Sequence, residues 1–486
     1  MEAIRYHLGV EMWYAVGVGV LTLLTVWIAH RWRNPKAKHV NLPPGSMGLP
    51  LIGETFQLIT PGYSLDLHPF IKSRLQRYGA VFKTSVAAQP VVISADPDMN
   101  NHIMLQEGKS VEMRYMDTYS KMFNLDGESR INAAGFIHKY YRGKTLAHFG
   151  SQSLQEKLLP LIEVAVQKAL NSWSEKESIE VKNETSAMVF EFTARQIFGY
   201  DPEESSVKLS DKFSNFLGCL MTLPLNFPGT KYYNCMKDHK YIMNMLKQVV
   251  KDRLAVPKTQ EESGDFLDSA IKDIGTEKLV TEEFVVYLLF ALLVASYDSV
   301  SLTLAVAFKL LSEHPSVLEE LTAEHDAIVN SRIDKDSSLT WEEYKSMTFT
   351  RQVINETLRI GPIAPGLLRR TLQDIEVKGY KIPAGWTVMV VTAAQQYNPE
   401  AFEEPDKFNP SRWKELDSSI ISKNFMPFGG GTRQCAGAEY SKAFMAVFFH
   451  KLLTQYRWTK VRGGDIIRNP LLGFKDGIHI KVSVKH

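Results

Sequence analysis

Apolar positions along the chain follow two rhythms. Residues 81–94, which include Val91, Val92 and Ile93, read as short strands, whereas residues 154–173, 182–197 and 241–254 repeat apolar side chains at the three-and-four spacing of amphipathic helices. Helices therefore dominate the middle of the chain. The segment 282–312 differs, because from Phe284 to Tyr297 it carries no charge on any face. Thr281 can cap it, Glu282 and Glu283 suit the positive end of a helix, and His314-Pro315 stops it, which predicts one unbroken helix. Its uncharged part is too short to cross a bilayer, so the helix is expected to run through the centre of the globule. There the chain reads Ala295-Ser296-Tyr297-Asp298-Ser299-Val300, an acid beside a hydroxyl in apolar surroundings. A buried aspartate costs several kcal/mol unless paired or hydrated, which makes Asp298 a functional candidate; a structural carboxylate bonded to a neighbouring loop would read the same way.

Residues 12–29 form a second uncharged run, about 27 Å long as a helix and so close to the thickness of a bilayer's hydrocarbon core. Trp13, Tyr14 and Trp27 stand near its ends. His30, Arg31, Arg33, Lys36, Lys38 and His39 follow it, so the positive-inside rule places the rest of the chain in the cytosol. Its length and trailing charge favour an anchor over a cleaved signal. The chain then divides into an anchor (1–33), a basic and proline-rich hinge (34–50, with Leu42-Pro43-Pro44-Gly45) and one repeat-free domain (51–486).

Composition narrows the function. With 44% hydrophobic residues the 486-residue chain can bury a large core. Its 56 Lys and Arg against 54 Asp and Glu give no field for nucleic acid, so none is expected as a partner. Three cysteines, Cys219, Cys235 and Cys435, exclude a disulfide-stapled secreted domain and fit a reducing compartment.

One cysteine has informative neighbours: Phe428-Gly429-Gly430-Gly431-Thr432-Arg433-Gln434-Cys435-Ala436-Gly437, followed by a helical pattern. A lone cysteine is usually an inert buried residue. Here the glycines permit a tight loop around one sulfur at a helix start, Gly437 lets a flat ligand lie close, and Arg433 can reach a carboxylate. The run resembles the haem-binding loop of the cytochrome P-450 haem-thiolate monooxygenases.

That resemblance extends over residues 42–486. It implies a mainly α fold with small β-sheets, a long central helix over haem b (iron protoporphyrin IX), and Cys435 as the metal ligand. Phe428, Arg433 and Gly437 would be haem contacts, joined by His138 and Arg142 of the run His138-Lys139-Tyr140-Tyr141-Arg142 and by Arg369. Glu356 and Arg359 resemble the family's Glu-x-x-Arg pair and Arg412 the second arginine of its structural triad. In the central helix Ala295 and Asp298 agree with the family pattern, while Ser296, Ser299 and Val300 depart from it. Asp298 with Ser299 would serve catalysis by delivering protons. Leu292, Ala295 and Ser296, with Ala364, Pro365 and Leu367, would line an apolar substrate cavity, although a packed core would give the same letters.

The runs Lys378-Gly379-Tyr380-Lys381-Ile382-Pro383-Ala384-Gly385-Trp386 and Leu225-Asn226-Phe227-Pro228-Gly229-Thr230 resemble plant members that oxidise sterols, brassinosteroids and triterpenoids. The resemblance implies an endoplasmic reticulum enzyme with a cytosolic catalytic domain, hydroxylating a sterol or triterpenoid, with sterol side-chain cleavage by repeated oxidation as an extension. No dinucleotide fingerprint is present, so electrons would come from a separate NADPH-cytochrome P-450 reductase. Two alternatives remain at this level: a haem isomerase or lyase of the same fold that uses no dioxygen, and a non-enzymatic haem or sterol carrier. Deletion of residues 1–33 is expected to move most of the protein from the membrane pellet to the supernatant with its haem spectrum retained; loss of haem would show the domain boundary to be misplaced.

Overall fold

The computed structural model describes residues 2–33, 41–50, 52–115, 124–125, 128–129, 135–205, 207–218, 222, 225–255, 264–277 and 279–485. The hinge residues Lys36, Lys38 and His39 and the cysteine Cys219 lie outside them. A helix, Glu2–Arg33, holds the first apolar run, and none of the stretch Met12–Arg31 is buried against the rest of the chain.

The early strand pattern becomes a hairpin of Val81–Val86 and Gln89–Ser94, turning on Ala87 and Ala88, both at positive φ. Paired positive φ values give the turn the twist of the flanking strands. Strands distant in sequence complete the sheet: Thr387–Val390 pairs with Gln89–Ser94, then Leu367–Thr371, then Val111–Met113 at the edge. The edge register sets Met113 opposite Arg369, which fixes where the chain just before Val111 meets that arginine.

Helices form the larger part. The patterns at 154–173 and 182–197 correspond to a π-turn plus helix Leu159–Ser174 and to Val181–Phe198. The third pattern underestimates its helix, Lys231–Ala255, because the first ten residues carry too few apolar positions to show a period. Behind them Ala438–Gln455 packs on Leu159–Ser174, and Phe444, Phe448 and Phe449 are almost fully buried in the main core.

The central helix is not unbroken. It runs as Glu282–Tyr297 and Ser299–Glu313, with Asp298 between at φ −103°. The Thr281 cap is present, its hydroxyl accepting from Phe284 N at 3.1 Å. At the break side-chain hydroxyls take over backbone acceptors: Ser301 Oγ lies 3.1 Å from the carbonyls of both Tyr297 and Asp298, and Ser296 Oγ donates to Leu293 O. Serines that bond back to the preceding turn compete with the helix ladder and bend it, an effect that apolar periodicity does not reveal.

Two buried histidines join Pro315–Asn330 to Ala438–Gln455. Arg332 Nη2 lies 3.3 Å from His450 Nε2, His450 Nδ1 is 3.2 Å from His325 Nδ1, and His325 Nε2 is 3.1 Å from Thr350 Oγ1, which donates to Glu324. An arginine only donates, so the chain has one direction and both rings must be neutral. Burial holds His450 down at about 3 and pushes His325 well below its usual value. Folded-state values below the unfolded one make this stability complete above pH 6.5 and progressively lost as pH falls towards 3. The thermal midpoint should therefore drop between pH 6.5 and 4. His450→Gln should lower stability at neutral pH but flatten that dependence by about one proton, roughly 1.4 kcal/mol per pH unit; an unchanged slope would exclude His450 as an origin of the acid sensitivity.

Candidate active site

Residues 428–437 form a loop that folds back on itself, Cys435 N donating to Phe428 O at 2.9 Å. Gly431 sits at φ 65°, and a Cβ there would stand 2.3 Å from Met104 O, so only glycine lets the loop approach the preceding helix Pro97–Leu105. Cys435 is surrounded by dense protein yet its surface is open, because it faces an interior cavity instead of the outside. Burial pushes its thiol up, against a Gly437 N–H and the charge of Arg142. A cation at the sulfur is what would make it a thiolate at neutral pH.

The cavity space beside the sulfur consists of adjoining volumes of about 370 and 440 Å³, both bordered by Cys435, Arg433, Ser299 and Val300. The larger is lined also by Ala364, Leu367, Arg369 and Phe428, and the smaller by His138, Arg142, Leu292, Ala295, Ser296 and Gly437. Ala295 and Ser299 are exposed in the middle of an otherwise buried helix, since they face this space. Pro365 does not border it: the chain bends at residues 363–365 and presents Ala364 and Gly366 instead.

Arginines border both parts of the cavity. Arg369 and Arg433 are both buried beside Cys435 and meet at one carboxylate, Glu107, with Arg433 Nε 2.9 Å from Oε1 and Arg369 Nε 2.8 Å from Oε2. Burial pushes the Arg369 guanidinium down against the pull of Glu107. His138, part-buried beside Arg433 and Arg142, is pushed down mainly by burial, while Arg142 donates to Gln434 O. Two buried guanidiniums against a single buried carboxylate leave positive charge facing the cavity. That excess, next to a cysteine sulfur in a largely apolar space, fits the carboxylates and the iron of a haem.

Asp298 is not the buried acid the sequence implied. Its side chain is 44% exposed, pairs with Lys182 Nζ at 2.8 Å and does not border the cavity. The helix break explains this: Asp298 leaves the buried stripe and turns to the start of Val181–Phe198, while its neighbour Ser299 keeps the cavity side. Ser299 Oγ donates to Ala295 O at 3.3 Å.

Away from the cavity, Glu356 and Arg359 are fully buried and joined at 2.8 and 2.9 Å. Glu356 accepts in addition from Arg412 Nε, Trp413 Nε1 and Asn409 N, each at 2.9–3.0 Å. Arg359 donates to the carbonyls of Gln396, Pro405 and Lys407. Glu107, Lys182 and Trp413 escaped the sequence reading; each is defined by contacts more than fifty positions away and leaves no short-range pattern.

Similarity to known proteins agrees with this geometry. Residues 43–475 match the cytochrome P-450 family model. The chain is 53% identical to a cucurbitadienol 11-hydroxylase of Siraitia grosvenorii and 49% identical to a beta-amyrin 16-alpha-hydroxylase of Maesa lanceolata, in both cases over 98% of this chain and 100% of the relative. The fold matches a retinoic acid-bound cyanobacterial CYP120A1 with a TM-score of 0.81 at 24% identity, covering 92% of this chain and 100% of that one. With an anion-seeking cavity, an open cysteine sulfur and the buried Glu-Arg-Arg group held in one architecture, the chain belongs to the cytochrome P-450 family of haem-binding monooxygenases.

Proposed function

We propose that this protein is a plant microsomal monooxygenase that hydroxylates a triterpenoid or a closely related sterol, anchored in the endoplasmic reticulum by Glu2–Arg33 and supplied with electrons by an NADPH-cytochrome P-450 reductase. The observation that carries this is identity near one half, over the full length, to two hydroxylases named for tetracyclic and pentacyclic triterpenes. The uncharged wall of Leu292, Ala295, Ala364 and Leu367 supports it, since a rigid polycyclic hydrocarbon binds by apolar burial.

Bound haem supplies the activation of dioxygen, one atom of which enters a substrate C–H bond and the other water, with two electrons and two protons consumed. The chain's own residues hold and serve that reaction. Cys435 Sγ is assigned as the iron ligand, with the Gly437 N–H tempering its basicity. Arg369, Arg433, Arg142 and His138 are assigned to the haem carboxylates. Apolar side chains of the central helix keep bulk water out. Proton entry is assigned to Asp298, which meets solvent on one side and the helix break on the other, and delivery to the Ser299 hydroxyl, free to rotate from Ala295 O into the cavity.

Microsomes containing this protein and a plant reductase, incubated with NADPH and a panel of triterpenes and sterols, should convert a triterpene to a product heavier by one oxygen atom. Conversion without NADPH would instead favour an isomerase or lyase, and binding without conversion a carrier. With a converted substrate, Asp298→Asn should reduce product formation by about 10–100-fold while leaving the substrate-induced spectral change intact, because it removes the relaying carboxyl group, which lies outside the cavity. Unaltered turnover would reassign proton entry to another route.

A further inference from the structure

The two arginines assigned to the haem carboxylates are held by a residue that neither motif contains. Glu107 follows the helix Pro97–Leu105, and its side chain is only 4% exposed. Its Oε1 accepts from Arg433 Nε at 2.9 Å and from Met113 N at 3.0 Å, while Oε2 stands 2.8 Å from Arg369 Nε. Arg369 comes from the strand Leu367–Thr371 and Arg433 from the cysteine loop, so one carboxylate links three separate parts of the chain. The rest of the Arg369 guanidinium is steered: Nη1 donates to Leu368 O at 2.9 Å and Nη2 lies 3.4 Å from Met104 Sδ. Tyr115, half-buried at the cavity edge, belongs to the same cluster, close enough for both arginine charges to act on its phenol.

Without Glu107 the two cations would repel each other in a place where little water screens them. With it, their side chains are drawn together, Arg433 by a hydrogen bond from Nε and Arg369 by charge, so that both guanidiniums stay at the cavity edge where an anion would meet them. The carboxylate also sets the local charge: two cations and one anion leave one net positive charge. Reduction of haem iron adds an electron, so every fixed charge near the haem biases its potential, and negative charge opposes reduction.

We propose that Glu107 is a positioning residue of the haem site, which orients Arg369 and Arg433 towards the haem carboxylates and, through its negative charge, holds the reduction potential of the iron below the value the arginines alone would give. This rests on the haem assignment above. It adds to that assignment a residue from outside the haem motifs and a physical quantity that Glu107 controls.

The test uses the full-length, haem-loaded protein without substrate. A spectroelectrochemical titration gives the ferric/ferrous potential, and transfer of haem to apomyoglobin gives its release rate. Glu107→Gln keeps the shape but removes the charge and should shift the potential positive. Glu107→Asp keeps the charge but shortens the reach; its potential should stay near wild type while haem release becomes several-fold faster. A Glu107→Gln potential equal to wild type in a haem-loaded protein would overturn the proposal. Should Glu107→Gln be recovered without haem, Glu107→Asp decides, and a wild-type release rate there would overturn it as well. Failure of wild-type protein to hold haem would instead overturn the haem assignment, so the two outcomes are distinguishable.

Discussion

The buried carboxylate of Glu356 is the point on which the cysteine side of the molecule depends. It accepts five N–H groups: two from Arg359, and one each from Arg412, Trp413 and the backbone of Asn409. A carboxylate at zero exposure cannot fall back on water, and removing one partner of a buried ion pair costs about 3–5 kcal/mol. The segment 403–413 is therefore held in one conformation, with the carbonyls of Glu404, Pro405 and Lys407 taken by the two arginines. Trp413 carries the constraint onward, its ring meeting Phe425 edge-on at 4.5 Å between centroids, three residues before Phe428 opens the cysteine loop. The position of Cys435 is thus fixed from below by a hydrogen-bonded hub and from the side by the close approach of Gly431 to Met104.

Charge is distributed with the same economy. Around the cavity the positive charge sits on arginines, among them Arg369, Arg433 and Arg142, while the central helix and the loop 361–368 supply apolar surface. A bound group that is flat, apolar and acidic at one edge matches both properties. A second apolar molecule can then occupy the remaining space only by displacing water, which ties substrate choice to shape more than to hydrogen bonding.

The break at Asp298 connects this interior to the surface. An unbroken helix would have kept the acid in the apolar stripe, where its desolvation would have demanded a buried partner. By breaking there, the chain places Asp298 at the solvent side against Lys182 and Ser299 on the cavity side, one residue apart in sequence but on opposite sides of a wall.

The sequence by itself determined what short spacing can encode. The Phe-x-x-Gly-x-Arg-x-Cys-x-Gly run singled out Cys435 as the candidate sulfur, the i,i+3 pair of Glu356 and Arg359 placed two charges on one helix face, and the uncharged stretch 284–297 marked the buried helix. It also marked Ala364 and Leu367 as lining, though not that Pro365 turns aside. Only the tertiary structure decided which charges meet. Glu107 finds Arg369 because Val111–Met113 joins the edge of the sheet, and Asp298 finds Lys182 because two helices cross at a break made by serine hydroxyls. Electrostatic pairing acts through space between groups hundreds of positions apart, whereas periodicity records only which side of an element is apolar, so the cavity wall was legible in the chain and its charge balance was not.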